Sequence, residues 1–510
     1  MSRSFDVIVM GGGHNGLVAA NYLALHGKSV LVLEAGEHVG GATQSVRAFP
    51  DFDARLSRYS YLVSLLPDQI VTDLSLNFRT LERAVSSYTP YVKDGVHGGL
   101  YVASDWDEAT AKSFRTLTGS HSDIEQWRSF YQELATVAQQ IAPTLLHPLP
   151  TRAQLKEVVG NSEVWRYLFE RPLGEVLRER FSDDLIQGVI LTDGLVGTYA
   201  SAFELQSNIC FLYHVMGNGT GKWRVPEGGM GALVDELVRI SKVNGVEIAV
   251  GSRVISIETS SSSISVTTSG GDTFDCQDLV AATSAHQLHA LMGWPAPTSR
   301  DGAQLKINLL LERLPRLKSG DDPRKAFAGT FHINERMSQF ESVYMQTQRG
   351  EIPDVIPAEM YCHTLTDSSI LSRDLAASGY HTLTIFGFHT PAHLFDSDNE
   401  AVKSRLVRLA LDGLNQYLAE PIESVIAKNH DGSLAIEAKS PLDLESELGL
   451  PRGNIFHNDL TFPMREEEEK IRWGSETAHP RIFLAGAGAR RGGGVSGIAG
   501  HNAAMAILNR

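Results

Sequence analysis

The chain of 510 residues is longer than one hydrophobic core usually supports, which predicts two domains. With 42% apolar and 21% charged residues, its composition is that of an ordinary soluble globular protein. The net charge of -15 argues against a nucleic-acid partner, because phosphate binding needs a basic face.

The cysteines and the chain start limit the redox chemistry and the location that we expect. Cys210, Cys276 and Cys362 lie far apart without a Cys-x-x-Cys pair, so neither a redox disulfide nor a metal site is predicted. The first predicted strand starts by Phe5, which leaves no room for a signal peptide, and no apolar run approaches the length of a membrane span. We therefore expect a cytoplasmic protein. Peripheral association with a membrane surface stays open.

The first predicted strand, residues 5–10, runs directly into a glycine turn that opens a helix over about 15–26. In this turn, Gly11 allows a tight bend, Gly13 lets a pyrophosphate approach the backbone, and Gly16 lets the helix lie close to the strand. The helix then aims its free N–H groups at the phosphates. This order of elements predicts a dinucleotide site, whereas a glycine triplet alone would also fit an ordinary turn.

A second predicted strand, residues 29–33, ends at Glu34. At this spacing a carboxylate accepts hydrogen bonds from an adenosine ribose, and it argues against a cofactor with a 2′-phosphate. Gly40 and Gly41 follow as a second pair of positions for close approach. Since the sequence has only one such fingerprint, a built-in NAD(P)H site is not predicted.

Glu34 followed by Gly40-Gly41 resembles the N-terminal signature of the FAD-dependent phytoene desaturase/amine oxidase superfamily, which also includes the Rab GDP-dissociation inhibitors. The stretch SRYSYLVSLLPDQIVTDLSL is most similar to the phytoene-desaturase-related branch typified by pyridine nucleotide-disulphide oxidoreductase domain-containing protein 2. The resemblance implies an α/β, two-domain, FAD-dependent flavoprotein of the glutathione-reductase-like, Rossmann type, with a mixed sheet-plus-helix substrate domain. It also implies that Arg58 and Tyr59 lie near the isoalloxazine, the alternative being surface positions.

Residues 76–215 lack glycine motifs and predict a mainly helical cap inserted after the first nucleotide-binding unit. Apolar residues at three-to-four spacing predict helices over 123–141, 152–159, 164–180 and 183–195. The aromatic and apolar residues of 203–216 are either core or pocket lining.

At Val225 the pattern changes to a glycine loop, a helix and several strands. The helix is predicted over 232–241, and the strands are predicted near 246–250, 254–257, 264–267 and 279–283. The loop PEGGMG resembles the one that returns the chain to the FAD domain in this family. The resemblance places the backbone of Val254 near the adenine.

Residues 301–450 predict a substrate domain built on an antiparallel sheet, with strands at 306–311 and 382–388 and a helix over 400–418. The strand in KINLLLERL is apolar enough to form the floor of an apolar substrate pocket. It would equally fit the hydrophobic core of the sheet. The stretch GNIFHNDLTFPM resembles the desaturase-related branch. It makes His457 a candidate for the substrate site, against a structural histidine as the alternative.

The C-terminal stretch predicts a strand over 482–485, a glycine-rich turn and a helix from about Ser496. A helix N-terminus packed against the flavin would place N–H groups where negative charge accumulates in the reduced anion. The pattern resembles the carotenoid-desaturase ending but carries Arg490-Arg491 where typical desaturases have His-Pro. A cation here would stabilise the reduced flavin or bind an anionic substrate, and the difference argues against a carotenoid substrate.

Together these features predict an FAD-dependent dehydrogenase, desaturase or oxidase that moves a hydride from a C–H bond of a largely apolar small molecule to flavin N5. Oxygen or a quinone is the expected external acceptor. Two alternatives stay open: a non-redox isomerase that uses reduced FAD, and a flavin-free binding protein of the Rab dissociation-inhibitor type. The FAD-binding domain is predicted over 1–75, 216–300 and 451–510, and the substrate domain over 76–215 and 301–450.

The candidate catalytic residues are Arg490, Arg58 and His457. The predicted cofactor-binding residues are Gly11, Gly13, His14, Asn15, Gly16, Glu34, Ala35, Gly40, Gly41, Ala42, Val254, Gly486, Gly494 and Val495.

Overall fold

The computed structural model describes residues 3–120 and 122–510, in which two seven-stranded sheets organise the chain. The strands are β1 (Arg3–Met10), β2 (Val30–Leu33), β3 (Ser45–Val46), β4 (Leu56–Ser57), β5 (Thr80–Glu82), β6 (Val85–Lys93), β7 (Val96–Ala103), β8 (Arg224–Pro226), β9 (Glu247–Ala249), β10 (Val254–Thr259), β11 (Ile264–Thr268), β12 (Thr273–Ala281), β13 (Leu305–Leu311), β14 (Thr330–Ile333), β15 (Ala358–Tyr361), β16 (His381–Gly387), β17 (Ile436–Lys439) and β18 (Ile482–Leu484). The helices are α1 (His14–Leu25), α2 (Asp68–Asp73), α3 (Glu108–Thr118), α4 (Ser122–Ile141), α5 (Arg152–Val159), α6 (Ser162–Phe169), α7 (Leu173–Arg180), α8 (Asp184–Leu195), α9 (Leu205–Met216), α10 (Gly231–Val243), α11 (Ala285–Met292), α12 (Pro323–Ala326), α13 (Met337–Gln348), α14 (Arg373–Ala377), α15 (Asn399–Asn415), α16 (Pro441–Leu448) and α17 (Ile498–Leu508).

The first sheet brings the two ends of the chain together. Its order is β10-β11-β12-β1-β2-β9, and β18 pairs in parallel with β12. Alternate residues of β1 face opposite layers: Val7 and Val9 pack with α1, α10 and α17, whereas Ile8 and Met10 pack with residues of β10, β11 and β12. A strand buried on both faces needs a continuous apolar run, so the prediction for β1 is confirmed.

Helices α1 and α17 pack against each other at a distance that only glycine allows. A Cβ on Gly500 of α17 would lie 2.0 Å from the carbonyl oxygen of Asn15 in α1. A Cβ on Gly16 would lie 2.1 Å from the carbonyl oxygen of Gly11, so a second glycine lets α1 lie close to the turn that precedes it. Both obstacles are backbone atoms, which move only if a helix moves. The close packing therefore holds the beginning of α1 and the beginning of α17 on the same side of the first sheet.

Gly500→Ala is expected to lower the free energy of unfolding by about 1–3 kcal/mol, because the added methyl group pushes α17 away from α1. Chemical denaturation monitored by circular dichroism would measure the change. Gly270→Ala is the matched control: it adds the same methyl group in an exposed turn, where a Cβ would find no contact closer than 3.8 Å, and it should change the free energy of unfolding by no more than about 1 kcal/mol. A G500A protein as stable as the wild type would contradict the close packing.

The second sheet has the order β17-β13-β16-β15-β14-β6-β7 and is antiparallel except for the β14–β6 pair. One of its faces is apolar: Ile307, Leu309, Phe331 and Ile385 pack there with residues of α15 such as Leu406. Helices of the predicted cap, together with α13, form a separate hydrophobic cluster. The fold class predicted from the sequence is confirmed, whereas the exact division into five segments stays a prediction.

Two features of the cap differ from the sequence prediction. The single helix expected over 164–180 is two helices, α6 and α7, because Pro172 has no N–H and disfavours a helical residue before it. The hairpin β6–β7 was not predicted in a segment interpreted as mainly helical. Gly98 and Gly99 interrupt the alternation of apolar and polar residues that would predict strand β7. Glycine is needed at both positions because the rings of Tyr91 and Tyr88 occupy the space of a side chain there.

Candidate cofactor and substrate site

A cavity of about 460 Å³ lies between the first sheet and the second. The glycine turn after β1 and the glycine-rich turn before α17 both line it, through residues that include Gly11, Gly13, Gly493 and Gly494. These residues are nearly five hundred positions apart in the sequence. The two motifs singled out in the sequence therefore belong to one site.

The turn at Gly13 leaves room for a group that approaches the backbone. Gly13 has an ordinary φ of -68°, and a Cβ built on it would meet nothing within 4 Å. It precedes α1, whose first turn has no acidic residue and no side-chain cap. The free N–H groups and the positive end of the helix dipole therefore remain available to an anion at the cavity.

Two polar atoms around the cavity are buried without a hydrogen-bond partner among the described residues. They are Oδ1 of Asn15 and Oγ1 of Thr283. A buried polar atom without a partner is unfavourable, so such a set indicates that a polar group completes the site. Together with the empty space at Gly13, these atoms fit a large dinucleotide cofactor.

Glu34 lies in the cavity wall at the end of β2. Its two carboxylate oxygens accept hydrogen bonds from the N–H groups of Gly12 and Gly36, each at 2.7 Å. Each oxygen keeps a further lone pair, so the carboxylate can also accept from the hydroxyls of a ribose. Gly40 donates its N–H to the carbonyl of Gly12 at 2.8 Å, which attaches the second glycine pair to the first turn.

The predicted cofactor-binding residues all line the cavity except Gly16 and Gly40. These two glycines lie behind residues near the cavity: Gly16 contacts Gly11, and Gly40 contacts Gln44. Whether each residue contacts the cofactor stays a prediction.

Two of the candidate catalytic residues lie outside the cavity lining. Arg490 donates to both carboxylate oxygens of Glu469 at 2.8 Å and to the carbonyl of Met464. Arg58 forms an ion pair with Glu437 at 2.7 Å. The expected cation beside the flavin is therefore not supplied by Arg490, because its side chain points toward an acidic partner that the sequence pattern did not reveal.

His457, the third candidate, does line the cavity. Burial lowers the pKa of its imidazole to about 4, so the ring is neutral near pH 7. Tyr59 also lines the cavity, but its hydroxyl donates to Glu447 at 2.6 Å.

Arg491 is a buried residue that fastens the C-terminal turn to the cap. It is 2% exposed, and its guanidinium donates to the carbonyls of Thr144, His147 and Trp473 at 3.0, 2.8 and 2.9 Å. Burial lowers its pKa to about 10, which still leaves the group charged near pH 7. Arg490 and Arg491, which stand where typical desaturases have His-Pro, thus both bind other parts of the protein.

Apolar side chains form much of the cavity wall on the side of the cap and the second sheet. They include Leu65, Val196, Phe386, Phe456 and Leu460. Gly494 lies close to Leu65 and Gly493 close to Leu460 and Phe456, so this apolar wall begins directly at the C-terminal turn.

The floor of the cavity is more polar than the sequence predicts. In β13 the side chains of Ile307 and Leu309 enter the apolar core, whereas Lys306 lines the cavity. Its ammonium donates to the carbonyls of Ser57, Arg58 and Tyr59 at 3.1, 3.3 and 2.9 Å. Burial lowers the pKa of Lys306 to about 7, while these three acceptors favour its charged form.

Polar side chains continue from Lys306 across the second sheet in one row. Lys306 pairs with Phe386, Phe386 with Glu359, and Glu359 with His332 in adjacent strands, so the four side chains share one face. We call Lys306, Glu359 and His332, with the apolar Phe386 between the first two, the polar row. Burial alone lowers the pKa of His332, but the neighbouring Glu335 carboxylate raises it overall.

The polar row was missed because each member lies inside a short, mainly apolar strand. The strands read LKINLLL, AEMY and TFHI, and their Lys, Glu and His stand at positions that alternation assigns to the face opposite the core. A charged residue within a buried strand was the available signal. The pairing of these strands is not visible in the sequence.

No helix in the described parts of the chain is long and apolar enough to cross a membrane. Within residues 3–120 and 122–510, no group of three or more His, Cys, Asp or Glu side chains is arranged to hold a metal ion. The three cysteines are free and buried.

Known proteins are similar to this chain over most of its length. The model of a family described as flavin containing amine oxidoreductase matches residues 16–403. An uncharacterised protein of Mycobacterium tuberculosis is 42% identical over 99% of this chain and 97% of its own length. Pyridine nucleotide-disulfide oxidoreductase domain-containing protein 2 of Mus musculus is 28% identical over 100% of this chain and 94% of its own. The structure of putrescine oxidase bound to putrescine has a TM-score of 0.61 at 16% identity and covers 99% of both chains.

Proposed function

The chain belongs to the family of flavin-containing amine oxidoreductases, its cofactor is FAD, and we propose that it transfers a hydride from a C–H bond of a largely apolar small molecule to N5 of that cofactor. The single observation that carries the proposal is that the glycine turns from the two ends of the chain line one cavity, which continues into an apolar wall. Bound FAD supplies the hydride acceptor.

The residues of the first sheet would hold the cofactor. The N–H groups at the start of α1 would bind the pyrophosphate beside Gly13, and Glu34 would accept hydrogen bonds from the ribose. The turn at Gly493 and Gly494 would stand against the flavin ring, where the absence of side chains permits close approach.

The residues of the cap and the second sheet would position the substrate. The apolar wall at Leu65, Phe456 and Leu460 would exclude water from the reacting carbon and select a hydrophobic group. Lys306 would add an amino group at the floor, held by three carbonyl groups, which is positively charged below about pH 7. This combination favours a molecule that is mainly apolar but carries one polar group. Oxygen or a quinone would reoxidise the cofactor.

The alternatives make different demands on the site. A flavin-free binding protein does not require the open space at Gly13 or the unpartnered polar atoms around it. A non-redox isomerase would use the same FAD site but would produce no oxidised product. Redox chemistry is therefore the feature that the experiment has to test.

The test begins with the purified protein. A flavin absorption spectrum is expected, with about one FAD per chain. Anaerobic mixing with apolar polyenes, amines and alcohols should then bleach the flavin band for one class, and readmission of oxygen or a quinone should restore it. A flavoprotein that converts a compound only after chemical reduction, with no net oxidation, would support the isomerase instead. A protein that binds no FAD would contradict the proposal.

A further inference from the structure

Tyr61 connects the cavity with a buried carboxyl group. Its ring is part of the cavity wall, and Lys306 lies over that ring at 5.1 Å from its centre. Its hydroxyl donates to Oε1 of Glu359 at 2.5 Å. Glu359 is 3% exposed and belongs to the polar row. A tyrosine of the cavity wall whose hydroxyl contacts a buried carboxylate can pass a proton from the cavity into the protein.

We propose that Tyr61 and Glu359 take up the proton that the substrate loses when its hydride leaves for FAD. The inference rests on the proposed function. The C–H bond breaks and its electron pair leaves with the hydride, while the electron pair of an N–H, O–H or C–H bond on the neighbouring atom forms the new double bond. The released proton passes to Oη of Tyr61 as the tyrosine's own proton passes to the Glu359 carboxylate. FAD is the oxidant, and no further reactant is needed.

The protonation properties of the pair suit this transfer. Burial raises the pKa of the Tyr61 hydroxyl, so the residue does not store charge as a tyrosinate and must hand its proton on. Burial also raises the pKa of Glu359 to about 7, so the carboxyl group can accept a proton and release it again near physiological pH.

Charged and titratable groups from several elements surround Glu359 and keep it from being an isolated charge. They are Tyr361 on its own strand, His332 and Glu335 at β14, Arg83 before β6, Asp193 on α8, and Lys306 on the far side of Tyr61. The set contains both signs, which lets one proton move without leaving a lone buried charge.

The other basic groups in the cavity are less suitable acceptors. Burial lowers the pKa of Lys306 to about 7, but its three carbonyl acceptors favour the charged ammonium, which has no lone pair to accept a proton. His214 lines the cavity with Nδ1 facing the carbonyl of Cys210 at 3.1 Å, which leaves Nε2 as an acceptor. Burial lowers the pKa of His214 to about 4, which makes it a weak base. His14 and His457 have the same low pKa.

The first test is the pH dependence of flavin reduction in the FAD-loaded protein under anaerobic conditions. Benzyl alcohol and cinnamyl alcohol serve as probes, because each has a C–H bond next to an O–H bond and neither ionises over the pH range of the test. In the wild type the reduction rate should rise with pH and level off above about 7. Tyr61→Phe and Glu359→Gln should each slow reduction by about 100-fold or more. Glu359→Gln should also remove the pH dependence, and Glu359→Asp should restore part of the rate.

The cap supplies a matched control pair. Tyr167 donates to Glu133 at 2.8 Å, and neither residue lines the cavity. Tyr167→Phe and Glu133→Gln make the same chemical changes outside the site and should leave the rate and its pH profile unchanged. If both Tyr61→Phe and Glu359→Gln behave like this pair, or if His214→Asn alone removes the pH dependence, the proposal is wrong.

The second test needs neither flavin nor substrate. Because the pKa of Glu359 is raised above its ordinary value, the folded protein holds this proton more tightly than the unfolded chain does. The stabilisation is complete below the ordinary pKa of a glutamate and is lost as the pH rises through about 7. The melting temperature of apo Glu359→Gln, relative to the wild type, should therefore rise between about pH 5 and about pH 8.5.

The two tests separate the inference from the proposed function. A protein whose flavin neither probe nor any compound of the screen reduces would contradict the proposed function, while the apo melting curves would still report on the carboxyl group. A relative melting temperature of Glu359→Gln that is the same at both pH values would overturn the inference even if the enzyme oxidises its substrate.

Discussion

Gly13→Val is expected to give a folded but colourless protein. A Cβ at this position meets nothing within 4 Å, and its φ of -68° suits any residue, so the apo fold should tolerate valine. The added carbon atoms would occupy the space through which we expect the pyrophosphate of FAD to approach the N–H groups of α1. We expect the dissociation constant for FAD to rise at least about 100-fold, which corresponds to about 2.7 kcal/mol.

Isothermal titration of apo protein with FAD would measure this loss, and thermal unfolding would show whether the fold is kept. The free energy of unfolding of the apo variant should change by less than about 1 kcal/mol, since valine is a poorer helix N-cap than glycine. Gly270→Val is the matched control, because Gly270 lies in an exposed turn where a Cβ would find no contact closer than 3.8 Å. If Gly13→Val purified with a full complement of flavin, the cofactor would have to lie elsewhere.

The elements around the cofactor could be predicted because local sequence determines them. An apolar strand, three glycines at fixed spacing and an acidic residue at the end of β2 each have a local physical reason, and the structure brings Gly11, Gly13 and Glu34 to one cavity. The C-terminal turn could be predicted for the same reason. Its small residues permit close approach, and Gly493 and Gly494 line that cavity from the other side.

The substrate side could not be predicted in the same way, because it depends on contacts between distant segments. Arg490 was placed near the flavin by its position in the motif, yet its direction is set by Glu469 and Met464. Tyr61 and Glu359 are almost three hundred residues apart, and only the pairing of β15 with β16 brings Glu359 beside the cavity-lining Phe386. Their meeting depends on strand order, which hydrophobic patterning does not contain.

The polar row also bears on the expectation of a largely apolar substrate. A sheet whose second face is covered by helices would be most stable with apolar residues on both faces, and buried charges generally lower stability unless they are paired. Lys306, Glu359 and His332 are retained on that face, each with a partner. A chain that tolerates such residues next to its main cavity has a chemical reason to keep them, which is why we place proton transfer there.

Arg491→Met is expected to lower the free energy of unfolding by about 3 kcal/mol or more, because it leaves the carbonyls of Thr144, His147 and Trp473 buried without their donor. The residue has φ +68°, but arginine and methionine both carry a Cβ, so backbone strain is the same in the two proteins. Since Arg491 joins the C-terminal turn to the segment after α4, we also expect weaker retention of FAD during dialysis. Arg490→Met is the matched control: its guanidinium is partly exposed and pairs with Glu469, so its loss should cost no more than about 1 kcal/mol. Equal destabilisation by the two substitutions would show that the three carbonyl contacts of Arg491 do not hold the turn in place.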